Sequence, residues 1–471
     1  MAKPLDTLLN NALIYLESQG LVPGSIGLSN GKVALIGCQG QDMPCANEVI
    51  DCEGLWVLPG VIDPHVHFGF GNPETDFETE SRNAALGGTT SVISFHRSTD
   101  IRDSFDAVRN RAEQQSCIDF AFHFGITSRL HVESLSDISH RFGVNSYKLY
   151  MMYKGAAGLS KGFTEIDDGL LWGALLAAKE VPGAILGVHC ENVEVIPWLR
   201  DPLRAAGRDD LAAWNEQSPD FLEAENVHRV CYFSEKTETP VNIVHLSSRE
   251  ALDEVRRHRR TGRKTPIYVE TCPHYLFLDC FSSAGPYAKV NPPVRSRSDI
   301  EAMWEGVCDG AITTIGSDHV PRKRATKDKD IWSATNGFPG TGMILPILLH
   351  EGYHQRQVPL ETLMRVACSN SASIYHLSGK GRIAVGNDAD LVIVDPNLER
   401  VVDPRTLESN SDYSPYEGMT LKGWPIRTMV RGRTVAKDGR IVDEARLNPA
   451  GHYLRRLESP DEDASPCKNA N

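Results

Sequence analysis

The sequence predicts an α/β protein in which a large (β/α)8 TIM-like barrel carries a small β-sandwich domain built from the two ends of the chain. Three observations predict it. The middle of the chain alternates apolar strand-like runs with longer amphipathic stretches, the mark of repeated βα units around a parallel sheet. Both ends instead show short apolar runs separated by Gly- and Asn-containing turns. With 471 residues, 41% hydrophobic and 24% charged, the chain is long enough for one large core and a lesser one.

Taken in order, the runs at 13–14, 26–28 and 33–36 read as several short strands between Thr7 and Asp51. Residues 55–63, Leu-Trp-Val-Leu-Pro-Gly-Val-Ile-Asp, lead into the first barrel strand. Thr75-Asp-Phe-Glu78 then has the form of a capping box that opens a helix, and Gly87-Gly88 stops it. Further strands are expected at 91–95, 146–151, 184–189, 241–245, 266–270 and 312–317, with helices such as Arg249–Arg260 between them. That many βα repeats favours closure into a barrel. The strand-and-turn pattern returns at 382–386, 389–395, 428–432 and Ile441. The expected domains are therefore 1–57 with 382–455 for the small sandwich and 58–381 for the barrel. Residues 456–471, rich in Asp and Glu and without apolar periodicity, are expected as a mobile tail or subunit-contact segment.

Lys and Arg number 49 against 62 Asp and Glu, a net charge of −13, so the chain offers no electrostatic footprint for nucleic acid or an anionic membrane. Eleven cysteines, an odd number without a CxxC pair, read as small buried hydrophobes in a reducing compartment. No secretory signal pattern stands in residues 1–16 and no run is long enough to cross a bilayer, so a cytoplasmic location is expected.

The chemistry concentrates at predicted strand ends. In His65-Val-His67 the period-two alternation puts both imidazoles on one side of the chain, where they can share a metal ion. Alone the pair is weak evidence, since local hydrogen bonds satisfy many histidines. Its position strengthens it: His189, His245 and Asp318 each close an apolar strand at its C-terminal end, and barrel active sites are assembled from those ends. Four imidazoles and a carboxylate suit zinc or a similar divalent ion, and the shortfall in ligands points to water and a bridging group. Lys148, inside the predicted strand Asn-Ser-Tyr-Lys-Leu-Tyr, is the candidate bridge. It reads either as a salt-bridged lysine at the barrel mouth or as a CO2-carbamylated lysine, an anion able to join two metals ~4 Å apart.

Together, Pro-Gly-Val-Ile-Asp-Pro-His-Val-His at 59–67, Ser-Tyr-Lys-Leu-Tyr-Met at 146–151, His189, His245 and Gly-Ser-Asp-His-Val-Pro at 316–321 resemble the amidohydrolase superfamily, particularly its cyclic amidohydrolases. The resemblance spans nearly the whole chain. Asn-Ser-Asp-Tyr-Ser-Pro-Tyr-Glu-Gly at 410–418, Lys148 followed by Tyr153, and Thr-Asn-Gly-Phe-Pro-Gly at 335–340 resemble dihydropyrimidinases and hydantoinases most, with allantoinases and dihydroorotases more distant.

The resemblance implies that His65, His67, carbamylated Lys148 (N6-carboxylysine) and Asp318 hold one metal while Lys148, His189 and His245 hold a second. Zinc is the first expectation, manganese, cobalt and nickel also suit these ligands, and CO2 or bicarbonate supplies the carbamate. It further implies a bridging hydroxide that attacks a ring carbonyl, with Asp318 moving its proton to the leaving nitrogen. Tyr153 matches the position that steadies the oxyanion, and Asn336 one that recognises the ring imide. The alternative for Tyr153 is a core aromatic with a satisfied hydroxyl.

Two departures bear on substrate. Asn291 stands where dihydropyrimidinases carry a serine that contacts the ring, and asparagine there is familiar from dihydroorotases. Gly69 stands where dihydroorotases place the arginine that pairs with the substrate carboxylate, so that clamp is missing. The implied substrate is a small cyclic amide, a dihydropyrimidine or 5-substituted hydantoin, with allantoin or another cyclic ureide or imide as the alternative. A non-enzymatic scaffold relative is the third reading, opposed by the complete ligand set. A homotetramer or homodimer is implied.

Lesser features receive plainer readings. The loop 68–73 either lines the pocket or is only a turn, and His96 reads as structural first and as a pocket residue second. Arg322-Lys323-Arg324 reads as a solvated face, Cys190 as pointing away from His189, and His319 as a supporting group behind Asp318. Gly379-Lys-Gly381 lacks the context of a phosphate loop.

Overall fold

The computed structural model describes residues 4–153, 158–159, 163, 166–262 and 264–457. Five strands come first: β1 (Leu5–Leu16), β2 (Gly20–Ser29), β3 (Lys32–Cys38), β4 (Ala46–Asp51) and β5 (Trp56–Pro59). Eight follow: β6 (Val61–Val66), β7 (Thr89–His96), β8 (Asp119–Ile126), β9 (Ser146–Tyr150), β10 (Ile185–His189), β11 (Val241–Ile243), β12 (Ile267–Thr271) and β13 (Thr314–Ile315). The last are β14 (Leu391–Val401), β15 (Thr420–Val430), β16 (Arg433–Lys437) and β17 (Arg440–Ile441).

Among the described residues β6 to β13 form one sheet in sequence order, every pair parallel, with helices between successive strands. The sheet closes on itself just past β13, where the His67 N–H donates to His319 O at 2.8 Å and Val66 pairs in parallel with His319. All eight residues of both β7 and β8 are buried, as strands covered on both faces must be. This is the expected barrel. The other strands build a mostly antiparallel sheet in the order β17-β16-β15-β14-β5-β1-β2-β3, with β4 beside β1. Leu9, Ile14, Ile26 and Leu28 from one wing pack with Leu391, Ile393 and Met429 from the other in a core of their own. Both chain ends thus share one small β-domain.

Several elements differ from the sequence reading. The stretch 55–63 is two strands rather than one: β5 pairs with β1 and β14, and β6 belongs to the barrel. Gly60 is the joint, because a Cβ there would collide with the Thr90 side chain. The helix Asp76–Leu86 starts where expected, but Thr75 makes no side-chain cap bond, so the capping box does not form. Glu78 pairs with Arg82 instead, and the Asp76 carboxylate accepts the N–H groups of Gly69, Gly71 and Asn72 at 2.9–3.0 Å. Residues 382–386 are not a strand: Gly386, at φ +93°, turns the chain and donates its N–H to Val33 O at 2.9 Å. The helix Arg249–Arg260 stands as expected, with the Ser248 hydroxyl accepting the Ala251 N–H. β8, whose Phe-Ala-Phe-His-Phe run was not singled out, is a full barrel strand. Arg456 lies buried under the barrel floor, donating to Ser146 Oγ at 2.6 Å and to Phe122 O. The remaining tail expectation falls, past Leu457, outside the described residues. No described helix is long and apolar enough to cross a membrane.

Candidate metal centre and active site

The C-terminal strand ends converge on a cavity of 620 Å³ lined by His65, His67, Lys148, His189, His245 and Asp318. Each is delivered by its strand. His65 is the fifth residue of β6 and His67 follows that strand, while Lys148 is the middle residue of β9 and His189 the last of β10. His245 and Asp318 follow the short strands β11 and β13 and take left-handed backbone conformations, φ +40° and +50°. Such backbone is costly for a non-glycine residue and tends to mark functional sites.

Two clusters result. In the first, Asp318 Oδ1 lies 3.1 Å from both His65 Nε2 and His67 Nε2. Ligand atoms of these three residues lie within 4.8 Å of one another. In the second, His189 Nδ1 lies 2.8 Å from His245 Nε2, and Lys148 Nζ is 3.5 Å from the same atom. Phe95 forms the floor, its ring 4.6 Å from His65, 4.9 Å from His67 and 5.3 Å from the Lys148 ammonium.

Burial and charge set the protonation states. Burial works against a charged His65, yet the Glu270 and Asp318 carboxylates outweigh it and raise the imidazole to about 9. Burial lowers His67 to about 4, His189 below its usual value and His245 well below it, so these three are neutral and present lone pairs. Asp318 is held well below the usual carboxylate range, the His65 and His67 partners overcoming burial. Burial brings Lys148 down to about 8, within reach of the neutral amine that CO2 requires.

These residues fit a divalent-metal site. The donor set is imidazole nitrogen and carboxylate oxygen, and among the described residues His245 Nδ1 is buried without a hydrogen-bond partner. The excess of anionic charge that protonates His65 in the metal-free protein is the charge a cation would neutralise.

Sequence reasoning missed the supports. Glu270 Oε1 sits 2.5 Å from His65 Nδ1 and accepts the His245 N–H at 3.2 Å, so one carboxylate orients a residue of each cluster. Glu191 Oε2 is 3.2 Å from His189 Nε2, which leaves Nδ1 free as a ligand. Asp63 accepts the Ser317 N–H at 3.0 Å and its hydroxyl at 2.5 Å, locking the loop that carries Asp318. Glu270 ends a predicted strand at the same rim as the ligands, a signal that was legible. Glu270→Gln is expected to lower activity about 10–100-fold through loosened metal binding, checked by metal titration alongside turnover.

The remaining expectations sort cleanly. Tyr153, Asn291 and Asn336 all line the cavity, and the Oδ1 atoms of both asparagines are buried without a hydrogen-bond partner among the described residues. The loop 68–73 is a turn tied down by Asp76 that also lines the cavity through Phe70. His96 does not face the cavity. It packs behind the barrel wall, 3.0 Å from Ser104 Oγ and edge-on to Phe105, because alternation along β7 turns it away from Phe95. His319 acts as the expected support, with Nε2 3.0 Å from Glu80 Oε2 and Nδ1 accepting the Gly340 N–H at 3.0 Å. Arg322 contradicts the solvated-face reading: it is half-buried and lines the cavity, since the chain turns inward after Pro321, while Lys323 alone of that run is exposed.

The sequence pattern of the amidohydrolase family matches residues 225–435. The L-hydantoinase of Paenarthrobacter aurescens is 32% identical over 454 residues, 93% of this chain and 96% of that one. The chain belongs to the amidohydrolase family. An allantoinase of Rubrobacter xylanophilus is 33% identical to this amidohydrolase over 93% of the chain and 95% of the relative. The solved structure of the L-hydantoinase (dihydropyrimidinase) from Arthrobacter aurescens superposes with a TM-score of 0.86 at 30% identity, covering 96% of this chain and all of that one. The protein is thus a hydrolase of the cyclic amidohydrolase group. That membership points to a binuclear metal centre, and His65, His67 and Asp318 form a candidate ligand group for it.

Proposed function

We propose that this amidohydrolase opens a cyclic amide, a dihydropyrimidine or 5-substituted hydantoin, by hydrolysis at the cavity mouth formed by β6 to β13. One observation carries the reading: six side chains of metal-ligand chemistry meet at one end of a cavity in which the side-chain Oδ1 atoms of two asparagines have no hydrogen-bond partner among the described residues. An imide ring carries the N–H donors those acceptors lack.

His65, His67 and Asp318, together with His189, His245 and a carbamylated Lys148, would hold two divalent ions, which would supply acidification of a water and polarisation of the ring carbonyl. The protein's own residues do the rest. Asp318, ionised and 3.1 Å from both His65 and His67, takes a proton from the attacking water and returns it to the departing nitrogen. The ring C–N bond breaks, the water oxygen stays on the carbonyl carbon, and a carboxylate and an N–H product result. Tyr153 steadies the charge that develops on the carbonyl oxygen, while Asn291 and Asn336 orient the ring. This reading takes the barrel domain as 58–381 and the companion domain as 1–57 with 382–455. It includes a cytoplasmic homodimer or homotetramer, which light scattering tests for assembly state.

The test is turnover of dihydrouracil, hydantoins, allantoin and dihydroorotate by metal- and bicarbonate-supplemented protein. Opening of dihydrouracil or a hydantoin supports the reading. Preference for allantoin, favoured by the allantoinase relative at 33% identity, selects the second substrate. No turnover of any ring with both metals bound rejects both. Tyr153→Phe is expected to lower kcat about 10²-fold with KM little changed, the loss typical of one oxyanion donor. Unchanged kcat would return Tyr153 to a packing role.

A further inference from the structure

Beyond the metal cluster the cavity wall is unexpectedly cationic. Arg97, Lys148, Lys289 and Arg322 line it, and among the described residues Asp318 is its only carboxylate. The chain as a whole carries −13, so this is no reflection of bulk composition. Lys148 and Asp318 belong to the metal end. Lys289 is accounted for, donating to Ala334 O at 2.6 Å and Trp332 O at 3.3 Å with its ammonium over the Trp214 ring.

Arg97 and Arg322 have no such account. The Arg97 guanidinium lies between aromatic faces, 4.7 Å from the Phe70 ring centroid and 5.2 Å from that of Phe163, with no carboxylate in ion-pair range among the described residues. Among the described residues Arg322 spends only Nε, donating to Asn336 O at 3.3 Å. The acid it senses, Asp76, already accepts three backbone N–H groups and the Asn410 amide. The two arginines are brought to one side of the cavity because the loop carrying Phe70 packs on Pro321 so closely that a Cβ on Gly71 would collide with the Pro321 carbonyl. They are near enough that Arg97 disfavours the charge on Arg322. Two half-buried guanidiniums facing one space without an anion among the described residues are costly, and a bound carboxylate removes that cost.

We propose that Arg97 and Arg322 form an anion subsite, so that the ring opened by this enzyme carries a carboxylate on its substituent. The proposal rests on the ring-opening reading above and deepens it. The carboxylate clamp whose arginine is absent at Gly69 is supplied from two other places in the fold, the end of β7 and the loop past β13. Because Arg322 holds the backbone carbonyl of Asn336, the charge clamp is tied to the residue whose side chain reads the imide.

The test compares two rings of equal shape, hydantoin-5-acetic acid and hydantoin-5-acetamide, on the metal-loaded full-length enzyme. We expect kcat/KM for the acid to exceed that for the amide by about tenfold or more, the scale of a charge-assisted pair. In Arg97→Met and Arg322→Met this acid-to-amide ratio falls about tenfold, and in the Lys variants it falls less. Equal use of acid and amide by the unsubstituted enzyme overturns the anion subsite while leaving ring opening intact, and needs no variant to fold. An acid preference that survives both Met substitutions overturns the assignment to these arginines. If neither ring is opened, neither hydantoin is a substrate, the panel above decides the ring-opening reading, and calorimetric binding of the same pair decides the subsite: tighter binding of the acid keeps it, equal binding overturns it.

Discussion

Lys148→Ala is expected to reduce ring opening by at least about 10²–10³-fold, the loss produced by removing one preorganised electrostatic group, and to lower the metal bound per chain. The lysine is 1% exposed in the middle of β9, with its Nζ 3.5 Å from His245 Nε2 and no carboxylate in ion-pair range among the described residues. An ammonium left there faces neutral imidazoles and an aromatic floor, a poor place for a cation. Under the proposed carbamylation, CO2 would convert the amine into an anion and supply the charge that two adjacent metal ions would need. Burial lowers the amine from 10.5 to about 8, so in the metal-free protein the reactive neutral form gains ground as pH rises through about 8 and is lost below it. Reconstitution with bicarbonate and metal is therefore expected to quicken across that window. Metal analysis and turnover of the variant check the first expectation. Full activity with full metal content would refute a bridging role.

Asp318→Asn is expected to cost about 10²–10⁴-fold in kcat, the range for removal of a general acid–base group. An amide at that position can still occupy the space beside His65 and His67 but can neither hold the negative charge nor carry the proton. The substitution has a second readout. His65 sits at about 9 because Glu270 and Asp318 overcome burial, so removal of one of these carboxylates moves its titration to lower pH. NMR of the imidazole in the metal-free variant checks this. An unshifted His65 would mean that Glu270 alone sets it.

Much of this site was legible because the barrel ties chemistry to a simple pattern. An apolar run ending in His or Asp identifies a residue at the rim, and His65, His67, His189, His245 and Asp318 all obeyed that rule. Lys148 was legible for the opposite reason, a charge where an apolar residue belongs. What escaped were residues whose meaning depends on three-dimensional partners. Glu270, Glu191 and Asp63 look like ordinary carboxylates until their histidine and serine partners, far away in sequence, are in place. Arg322 looked solvated because a short charge run usually is, and only the inward turn after Pro321 reverses that. In the fold, Gly60 hid a change of sheet within one apolar run, and the loop at 382–386 imitated a strand because Ile383 serves the small core without pairing, while Val385 is exposed.

Metal stoichiometry and ring-opening activity, measured on one preparation loaded with divalent metal and bicarbonate, decide whether this is a two-metal ring-opening enzyme. Two metal ions per chain, turnover of a cyclic amide, and parallel loss of one metal and activity in Lys148→Ala are expected. A protein that binds both metals yet opens none of the rings, or one that opens them equally well with metal removed, would contradict that expectation.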